Sequence, residues 1–177
     1  MTAPRETGEI LFLGDSLIEY FDWAVRFPHH RVRNLGVSGE PVEGLIERLD
    51  VVISEYPEAT AAFIMTGINN IAMEQSGFIG DYRKIILRLR EAYPAGFRIH
   101  IHTLLPTLLQ WIDPPEIRRV NSLIAKLAEE TGVVLIDMHD LFLERGPRDL
   151  LSDDGIHLSD RGYKLWASVL EPIMNEL

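Results

Sequence analysis

The feature that most constrains the fold is a set of five short apolar runs separated by longer segments of mixed polarity. The runs cover residues 10–13, 32–35, 61–65, 99–105 and 133–136, and each ends within two residues of a glycine, proline or aspartate. Apolar runs of this length are typical of strands buried on both faces, as in a parallel sheet covered by helices. The sequence therefore predicts an α/β fold with a five-stranded parallel sheet.

Four segments between and after these runs place apolar side chains on one helix face. Their apolar positions are Val42, Leu45, Ile46 and Leu49; Tyr82, Ile85, Ile86 and Leu89; Ile117, Val120, Ile124 and Leu127; and Leu165, Trp166, Val169 and Ile173. The 177 residues contain no repeat or linker, which predicts a single domain over residues 1–177. The longest irregular stretches, residues 105–114 and 138–158, follow strands. Because ligands of open parallel sheets bind beyond the carboxyl ends of strands, we expect the functional site there.

The composition excludes several classes of function. The formal net charge of -10 disfavours nucleic acid as a partner, and no apolar stretch approaches the roughly 20 residues of a membrane span. The absence of cysteine excludes disulfides, thiolate catalysis and thiolate metal sites. Residues 1–9 lack the apolar region of a secretory signal, so we expect a cytoplasmic protein.

Ser16 is the first candidate for chemistry, because it follows the first predicted strand in a tight turn, Gly14-Asp15-Ser16-Leu17. Serine at the start of a helix is also a common N-cap, and this structural interpretation is the more natural one for Ser16 taken alone. A serine hydroxyl becomes a useful nucleophile only when a base removes its proton. The catalytic interpretation therefore requires a histidine at the same edge of the sheet.

Most of the six histidines are poor candidates for that base. His29 and His30 lie in a polar loop that predicts solvent exposure. His100 and His102 alternate along the fourth strand, a spacing that could suggest a metal site, but no carboxylate lies near them in sequence. His139, which follows the fifth strand, is a weaker rival for the role of base.

His157 is the best candidate, since it lies in the last long loop directly before the final helix. Asp154 precedes it by three residues, a spacing that lets one turn bring the carboxylate to an imidazole nitrogen and leaves the other nitrogen for the serine. Asp154 could instead cap a turn, and Asp153 is an alternative orienting residue.

Two further strand ends offer donors for an oxyanion, which ester hydrolysis needs. Gly39 follows the second strand, and its lack of a Cβ lets its backbone N–H approach a substrate. Asn69 follows the third strand and offers a side-chain amide. Each segment taken singly is also consistent with an ordinary turn.

Taken together, Ser16, Gly39, Asn69 and the Asp154/His157 pair resemble the sequence blocks of the GDSL/SGNH hydrolases in order and approximate spacing, over nearly the whole chain. The resemblance implies a flavodoxin-like three-layer α/β/α sandwich. It also implies a Ser-His-Asp triad and an oxyanion hole formed by Gly39, Asn69 and the backbone N–H of the nucleophilic serine. The reaction would proceed through an acyl-enzyme and would require no metal or organic cofactor.

Two departures from the family pattern indicate a branch. Asn70 replaces the usual aspartate and Leu158 replaces the usual proline, as in the branch that resembles the intracellular platelet-activating-factor acetylhydrolase catalytic subunits. This resemblance implies a small-molecule ester with a short acyl group, and it allows a homodimer. We expect Asp15, Asn70 and Trp111 to contact the substrate, although Trp111 could equally pack on the domain or on a partner subunit.

The sequence thus predicts a serine hydrolase of small acyl esters. Two alternatives stay open. The same chemistry could act on thioesters, lysophospholipids or acetylated sugars, or the chain could be a non-catalytic binding module whose residues 14–16 hold an anion at a helix N-terminus.

Overall fold

A computed structural model describes residues 8–177. The sequence prediction that residues 1–9 lack a secretory signal falls mostly on residues 1–7, which lie outside the described residues. The strands are β1 (Glu9–Gly14), β2 (Arg31–Gly36), β3 (Ala59–Met65), β4 (Arg98–His102) and β5 (Val134–Ile136). The helices are α1 (Ser16–Glu19), α2 (Trp23–Arg26), α3 (Val42–Glu55), α4 (Ile68–Ala72), α5 (Ile79–Ala92), α6 (Pro114–Thr131), α7 (His139–Arg145), α8 (Pro147–Leu150) and α9 (Asp160–Met174).

The five strands form one sheet in the order β2-β1-β3-β4-β5, and every neighbouring pair is parallel. The predicted five-stranded parallel sheet is confirmed. The chain passes from β1 to β2 on one side and then crosses to β3 on the other side of β1. In open parallel sheets a crevice forms where the strand order reverses in this way, at the carboxyl ends of the strands. This switch point lies between β1 and β3.

Helices cover both faces of the sheet, as the sandwich prediction requires. On one face α3, α5 and α6 pack side by side, and the Tyr82 hydroxyl of α5 donates to the Ile64 carbonyl of β3. On the other face Trp23 of α2 stacks on Phe12 of β1, with ring centroids 4.6 Å apart. Trp166 of α9 packs against the edge of Trp23 on the same face. These aromatic contacts fasten the last helix to the first strand.

The fourth strand is shorter than predicted. The apolar run continues to Leu105, but the regular ladder ends at His102. The Asn121 side chain of α6 accepts from the Leu104 N–H at 2.7 Å and donates to the Leu104 carbonyl at 2.9 Å. Because a side chain replaces the neighbouring strand as the partner of Leu104, the backbone leaves the sheet while it is still buried.

Two other details differ from the sequence expectations. Residues 138–158, predicted to be irregular, contain α7 and α8. In α9 the buried face is shifted by one position from the predicted one. Of the four predicted positions, Trp166 is fully buried. The other three are only partly buried: Leu165, Val169 and Ile173. The fully buried stripe consists of Gly162, Tyr163, Trp166, Ala167, Leu170 and Met174. This stripe includes small and aromatic residues, and a prediction based on the spacing of aliphatic residues alone therefore put the buried face in the wrong position.

No helix within residues 8–177 is long and apolar enough to cross a membrane.

We expect Asn121→Ala to lower the free energy of unfolding by about 2–4 kcal/mol, because it removes two hydrogen bonds and leaves the buried N–H and C=O of Leu104 without partners. Urea denaturation measures this difference. Ser122→Ala, which changes the adjacent exposed residue of α6, is the matched control and should cost less than about 0.5 kcal/mol. Equal stabilities of the two variants would contradict this role of Asn121.

Candidate active site

Ser16 lies at the switch point, where β1 ends and α1 begins. The turn is tight because Gly14 has a φ of 155°, and a Cβ at this position would lie 1.9 Å from the Met65 carbonyl oxygen. Only glycine fits so close to the neighbouring strand. Asp15, and not Ser16, is the N-cap of α1, so the capping interpretation of Ser16 is wrong. The Ser16 hydroxyl is therefore free for another role.

His157 and Asp154 meet Ser16 across 141 positions of sequence. The distance from Ser16 Oγ to His157 Nε2 is 2.9 Å, and the distance from His157 Nδ1 to Asp154 Oδ2 is 2.6 Å. A carboxylate is an acceptor only, so the proton between His157 and Asp154 is carried by Nδ1. In that tautomer Nε2 has a free lone pair and accepts from the serine hydroxyl. The three side chains thus form one continuous chain of hydrogen bonds.

Asp154 is held in place by its own turn. Its Oδ1 accepts from the backbone N–H groups of Ile156 at 3.0 Å and His157 at 2.9 Å, and from the Ser152 hydroxyl at 2.8 Å. Gly155, with a φ of 76°, allows the backbone to fold back in this way. Desolvation opposes the charge of Asp154, but the Ile156 and His157 N–H groups and the imidazole donate to it and hold its pKa well below its ordinary value. The alternative Asp153 is exposed, and Asp154 makes the contact with the imidazole.

Gly39 and Asn69 lie in adjoining segments beside the switch point. Gly39 has a φ of 76°, and no atom lies within 4 Å of where its Cβ would be, so its backbone is open on that side. The Asn69 side-chain amide donates to the Glu40 carbonyl at 3.1 Å, which ties α4 to the segment that carries Gly39. The second amide hydrogen of Asn69 is left for another acceptor. The N–H of Ser16, at the first position of α1, has no carbonyl acceptor within its own helix.

A partly buried ion pair supports the segment of residues 37–40. The Arg48 guanidinium binds both carboxylate oxygens of Glu40, at 2.6 and 2.7 Å, and also donates to the Leu35 carbonyl at 2.7 Å. This bidentate geometry fixes the orientation of Glu40 more tightly than one bond would. The Val37 N–H donates to the Gly14 carbonyl at 2.9 Å, joining the same segment to the turn before Ser16.

Asp15 was expected to contact the substrate, and for its side chain that prediction is wrong. It is fully buried; its Oδ1 accepts from the Leu17 N–H at 3.0 Å, and its Oδ2 has no hydrogen-bond partner within residues 8–177. Burial raises the pKa of Asp15 to about 7, although the hydrogen bond from Leu17 and the nearby His157 act in the opposite direction. Asp15 shapes the turn that presents Ser16.

The same prediction is wrong for Asn70, for a similar reason. The side chain is fully buried, with Oδ1 accepting from the Val42 N–H at 2.9 Å and Nδ2 donating to the Glu43 carboxylate at 2.7 Å. Asn70 thereby caps α3, whose own N-cap residue, Pro41, has no side chain able to do so. Because the side chain is fully buried, neither end of the amide reaches the surface where a substrate would bind.

Trp111 is 73% exposed and lies in the loop after β4, as predicted. It lines a cavity of about 210 Å³ together with Ile71, Glu74 and Glu116, and Ser16 and His157 are not among the lining residues. Leu108, in the same loop, is closer to the site, because its N–H donates to the Gly155 carbonyl at 2.7 Å. Contact between Trp111 and a substrate stays a prediction.

Two other buried histidines, His102 and His139, have polar partners, whereas His100 stacks on Phe63 and its Nδ1 has no hydrogen-bond partner within residues 8–177. His102 Nδ1 lies 3.0 Å from the Ile64 carbonyl, and the Trp166 indole N–H donates to His102 Nε2 at 3.1 Å, so both ring nitrogens are occupied. His139 pairs with Asp140 and lines a cavity of about 260 Å³ between α6 and α7, at the β4–β5 side of the sheet. No group of three or more histidine or acidic residues within residues 8–177 could hold a metal ion.

Sequence reasoning missed three contributors to the site. Ser152 donates to Asp154, and its position two residues before that carboxylate was the one available signal. Tyr20 lies against His157, with ring centroids 5.0 Å apart, and its hydroxyl oxygen is 2.8 Å from Ser38 Oγ. Nothing in the sequence pattern marks Tyr20 or Ser38, because their proximity depends on how α1 and the loop after β2 are packed.

The GDSL-like lipase/acylhydrolase family model matches residues 12–165, which include every member of the Ser16–His157–Asp154 chain and both Gly39 and Asn69. No curated protein matches the sequence.

Several solved structures share the fold. A candidate platelet activating factor from Streptococcus pneumonia is 22% identical, with a TM-score of 0.84 over 97% of this chain and 86% of that one. A lipase/acylhydrolase from Enterococcus faecalis is 18% identical, with a TM-score of 0.82 over 97% of both chains. An acetylxylan esterase from Geobacillus stearothermophilus is 21% identical, with a TM-score of 0.77 over 94% of both chains. At these identities the likeness shows the flavodoxin-like α/β/α fold and nothing finer.

Because the carboxyl of Asp15 is buried, we expect Asp15→Asn to raise the free energy of unfolding by an amount that depends on pH. The pKa of Asp15 is raised from 3.8 to about 7 in the folded chain, so between these values the folded state binds more protons and its stability falls as the pH rises. Asparagine keeps the acceptor for Leu17 and does not titrate. The free energy of unfolding of the variant, relative to that of wild type, should therefore rise from pH 4 to pH 7 by at most about 4 kcal/mol and then level off.

Thermal or urea unfolding of both proteins at pH 4, 5.5, 7 and 8 measures this difference. Asp153→Asn, at the exposed neighbour of Asp154, is the control and should show no such trend. A constant or decreasing difference for Asp15→Asn would contradict the buried, proton-binding state of Asp15.

Proposed function

We propose that this chain, which belongs to the GDSL-like lipase/acylhydrolase family and is therefore a carboxylic ester hydrolase, cleaves small acyl esters with Ser16 as nucleophile. Family membership confirms the resemblance read from the sequence. The observation that carries the proposal is the unbroken contact from Ser16 Oγ through His157 to Asp154, at 2.9 and 2.6 Å. A binding module would have no use for this arrangement.

The first step of the proposed mechanism is acyl transfer to the enzyme. His157 Nε2 takes the hydroxyl proton while Ser16 Oγ attacks the ester carbonyl, and the ionised Asp154 stabilises the imidazolium that forms. The tetrahedral intermediate collapses when the same imidazolium protonates the leaving alkoxide. The strongly lowered pKa of Asp154 keeps this residue charged throughout the pH range in which the enzyme would work.

The oxyanion of the intermediate would be held by three donors. They are the N–H of Ser16, the N–H of Gly39 and the free amide hydrogen of Asn69. The hydrogen bond from Asn69 to the Glu40 carbonyl orients this amide, and the Arg48–Glu40 pair supports the turn that carries Gly39. Donors fixed before the reaction need no reorganisation as charge develops on the oxygen, which is why such groups contribute strongly to rate.

In the second step water replaces the alcohol. His157 removes a proton from a water molecule, the resulting hydroxide attacks the acyl carbonyl, and the proton returns to Ser16 Oγ as the acid leaves. Every proton transfer is made by protein groups and water, so the proposed route uses no cofactor.

We further propose that the acyl group is short. The departures at Asn70 and Leu158, and the fold shared with an acetylxylan esterase, favour this short-chain assignment.

The remaining sequence predictions belong to the same proposal. We propose a single domain, a small-molecule ester as substrate, no nucleic-acid partner, and a cytoplasmic location. The homodimer implied by the branch resemblance also stays a prediction.

Ser16→Ala should lower kcat/KM for p-nitrophenyl acetate at least about 1000-fold, because the nucleophile and its covalent intermediate are lost. Stopped-time or continuous absorbance assays measure the rates. A fluorophosphonate probe should label the wild type and not the variant. Ser122→Ala, which removes an exposed hydroxyl on α6, should behave as wild type in both assays. Equal rates for wild type and Ser16→Ala would sink the assignment.

A series of p-nitrophenyl esters with acyl chains of two, four, eight and sixteen carbons tests the short-chain proposal. We expect the highest kcat/KM at four carbons or fewer and a fall of roughly ten-fold or more by eight carbons, because the branch resemblance implies a site that fits a short acyl group. Thioesters and acetylated sugars of matched acyl length test the alternative leaving groups. A rate that rises with chain length would instead favour the lysophospholipase alternative.

A further inference from the structure

Tyr20 makes two contacts that join opposite sides of the nucleophile. It is the residue at which α1 ends, and its ring is tilted by 36° against the imidazole of His157, with centroids 5.0 Å apart. Its hydroxyl oxygen lies 2.8 Å from Ser38 Oγ, next to Gly39. One side chain thus touches both the base of the proposed mechanism and the segment that carries an oxyanion donor.

The backbone around Tyr20 is well fixed. The Asn34 amide nitrogen lies within 3.1 Å of the Ile18, Glu19 and Phe21 carbonyls, and it closes the end of α1 from the neighbouring strand β2. The Tyr163 hydroxyl of α9 donates to the Leu17 carbonyl at 3.0 Å. Although Tyr20 is 56% exposed, it therefore stands on a rigid base.

The segment of residues 37–40 is held unevenly. Val37 and Glu40, at its two ends, are tied down by Gly14, by Asn69 and by the Arg48 ion pair. The tip, Ser38 and Gly39, is exposed, and the contact with Tyr20 is the one side-chain hydrogen bond found for it within residues 8–177. Gly39 also has a φ of 76° with open space around its Cα, so its own packing does not restrain it.

We propose that Tyr20 is a positioning residue that fixes the Ser38–Gly39 tip relative to His157. The inference rests on the proposed function, because the tip matters for catalysis only if the Gly39 N–H stabilises an oxyanion. The Tyr20 hydroxyl restrains the tip, and its ring packs against the imidazole. The N–H of Gly39 and Nε2 of His157 are then held at a constant separation on either side of the reacting carbonyl.

This role has a distinct kinetic consequence. A donor that moves away from the oxyanion weakens an interaction formed mainly in the transition state, so its loss lowers kcat and leaves KM nearly unchanged. A tyrosine that served only to bind the substrate would instead raise KM. A tyrosine that served only to stabilise the fold would change the unfolding temperature and not the kinetic constants of the folded enzyme.

The test compares Tyr20→Phe, Ser38→Ala, Ser38→Thr and the double variant Tyr20→Phe/Ser38→Ala in the full chain, with p-nitrophenyl acetate. Tyr20→Phe keeps the ring and removes the hydroxyl, and Ser38→Ala removes its partner. We expect each to lower kcat about five- to twenty-fold with KM within two-fold of wild type. The double variant should be no slower than the single ones, because both remove the same bond. Ser38→Thr keeps a hydroxyl and should restore most of the rate.

Tyr56→Phe is the matched control, since the Tyr56 hydroxyl contacts Glu55 far from the triad, and it should behave as wild type. Phenylboronic acid, which forms a tetrahedral adduct with a reactive serine, should bind Tyr20→Phe more weakly in proportion to the loss of kcat.

Three results would overturn the inference: a Tyr20→Phe rate within two-fold of wild type, a loss confined to KM, or losses that multiply in the double variant. If wild type shows the Ser16-dependent activity and fluorophosphonate labelling, such a result removes the role of Tyr20 alone. If wild type shows neither, the proposed function and this inference fail together.

Discussion

The rest of the structure depends on the interior position of β1, which is hydrogen bonded in parallel to β2 on one side and to β3 on the other. Parallel strands have their carboxyl ends at the same edge of the sheet, so the segments that follow β1, β2 and β3 all lie at that edge. The turn at Gly14 tightens this convergence, since no side chain fits between it and the Met65 carbonyl. Ser16, the segment that carries Gly39 and the helix α4 that carries Asn69 are therefore neighbours because of the strand order.

Carboxyl groups near Ser16 have very different states, and the differences arise from their surroundings. Asp154 is partly exposed and accepts four hydrogen bonds, so it stays charged. Glu40 is buried but faces the Arg48 guanidinium. Asp15 is buried with one oxygen unpartnered, and its raised pKa makes it the group that most readily takes up a proton. A charge is tolerated at this edge only where donors have been provided for it.

Residues next to the candidate site residues in sequence support them. Asp15 caps α1 beneath Ser16, and Asn70 caps α3 beneath the Gly39 segment. Both were expected to contact the substrate, and both adjoin candidate site residues in the chain. A helix or turn that presents one side chain to solvent turns its neighbour inward, so adjacency in sequence is poor evidence for a shared site. His157 instead packs against Tyr20, which is 137 positions away in the sequence, and Tyr20 in turn contacts Ser38.

The sequence by itself predicted the number of strands and the α/β class, because the length and period of apolar segments are local patterns. It also indicated Ser16, Asp154 and His157, through a three-residue spacing and a resemblance to the family's sequence blocks. It also indicated Gly39 and Asn69 through their positions after strands. Tertiary structure alone decided that β4 ends at His102, since a side chain from α6 takes the bonds of Leu104. It also decided which neighbours of the catalytic residues are buried and which aromatic ring lies on the imidazole. Those outcomes depend on packing between segments far apart in the chain, and local sequence patterns do not predict such packing.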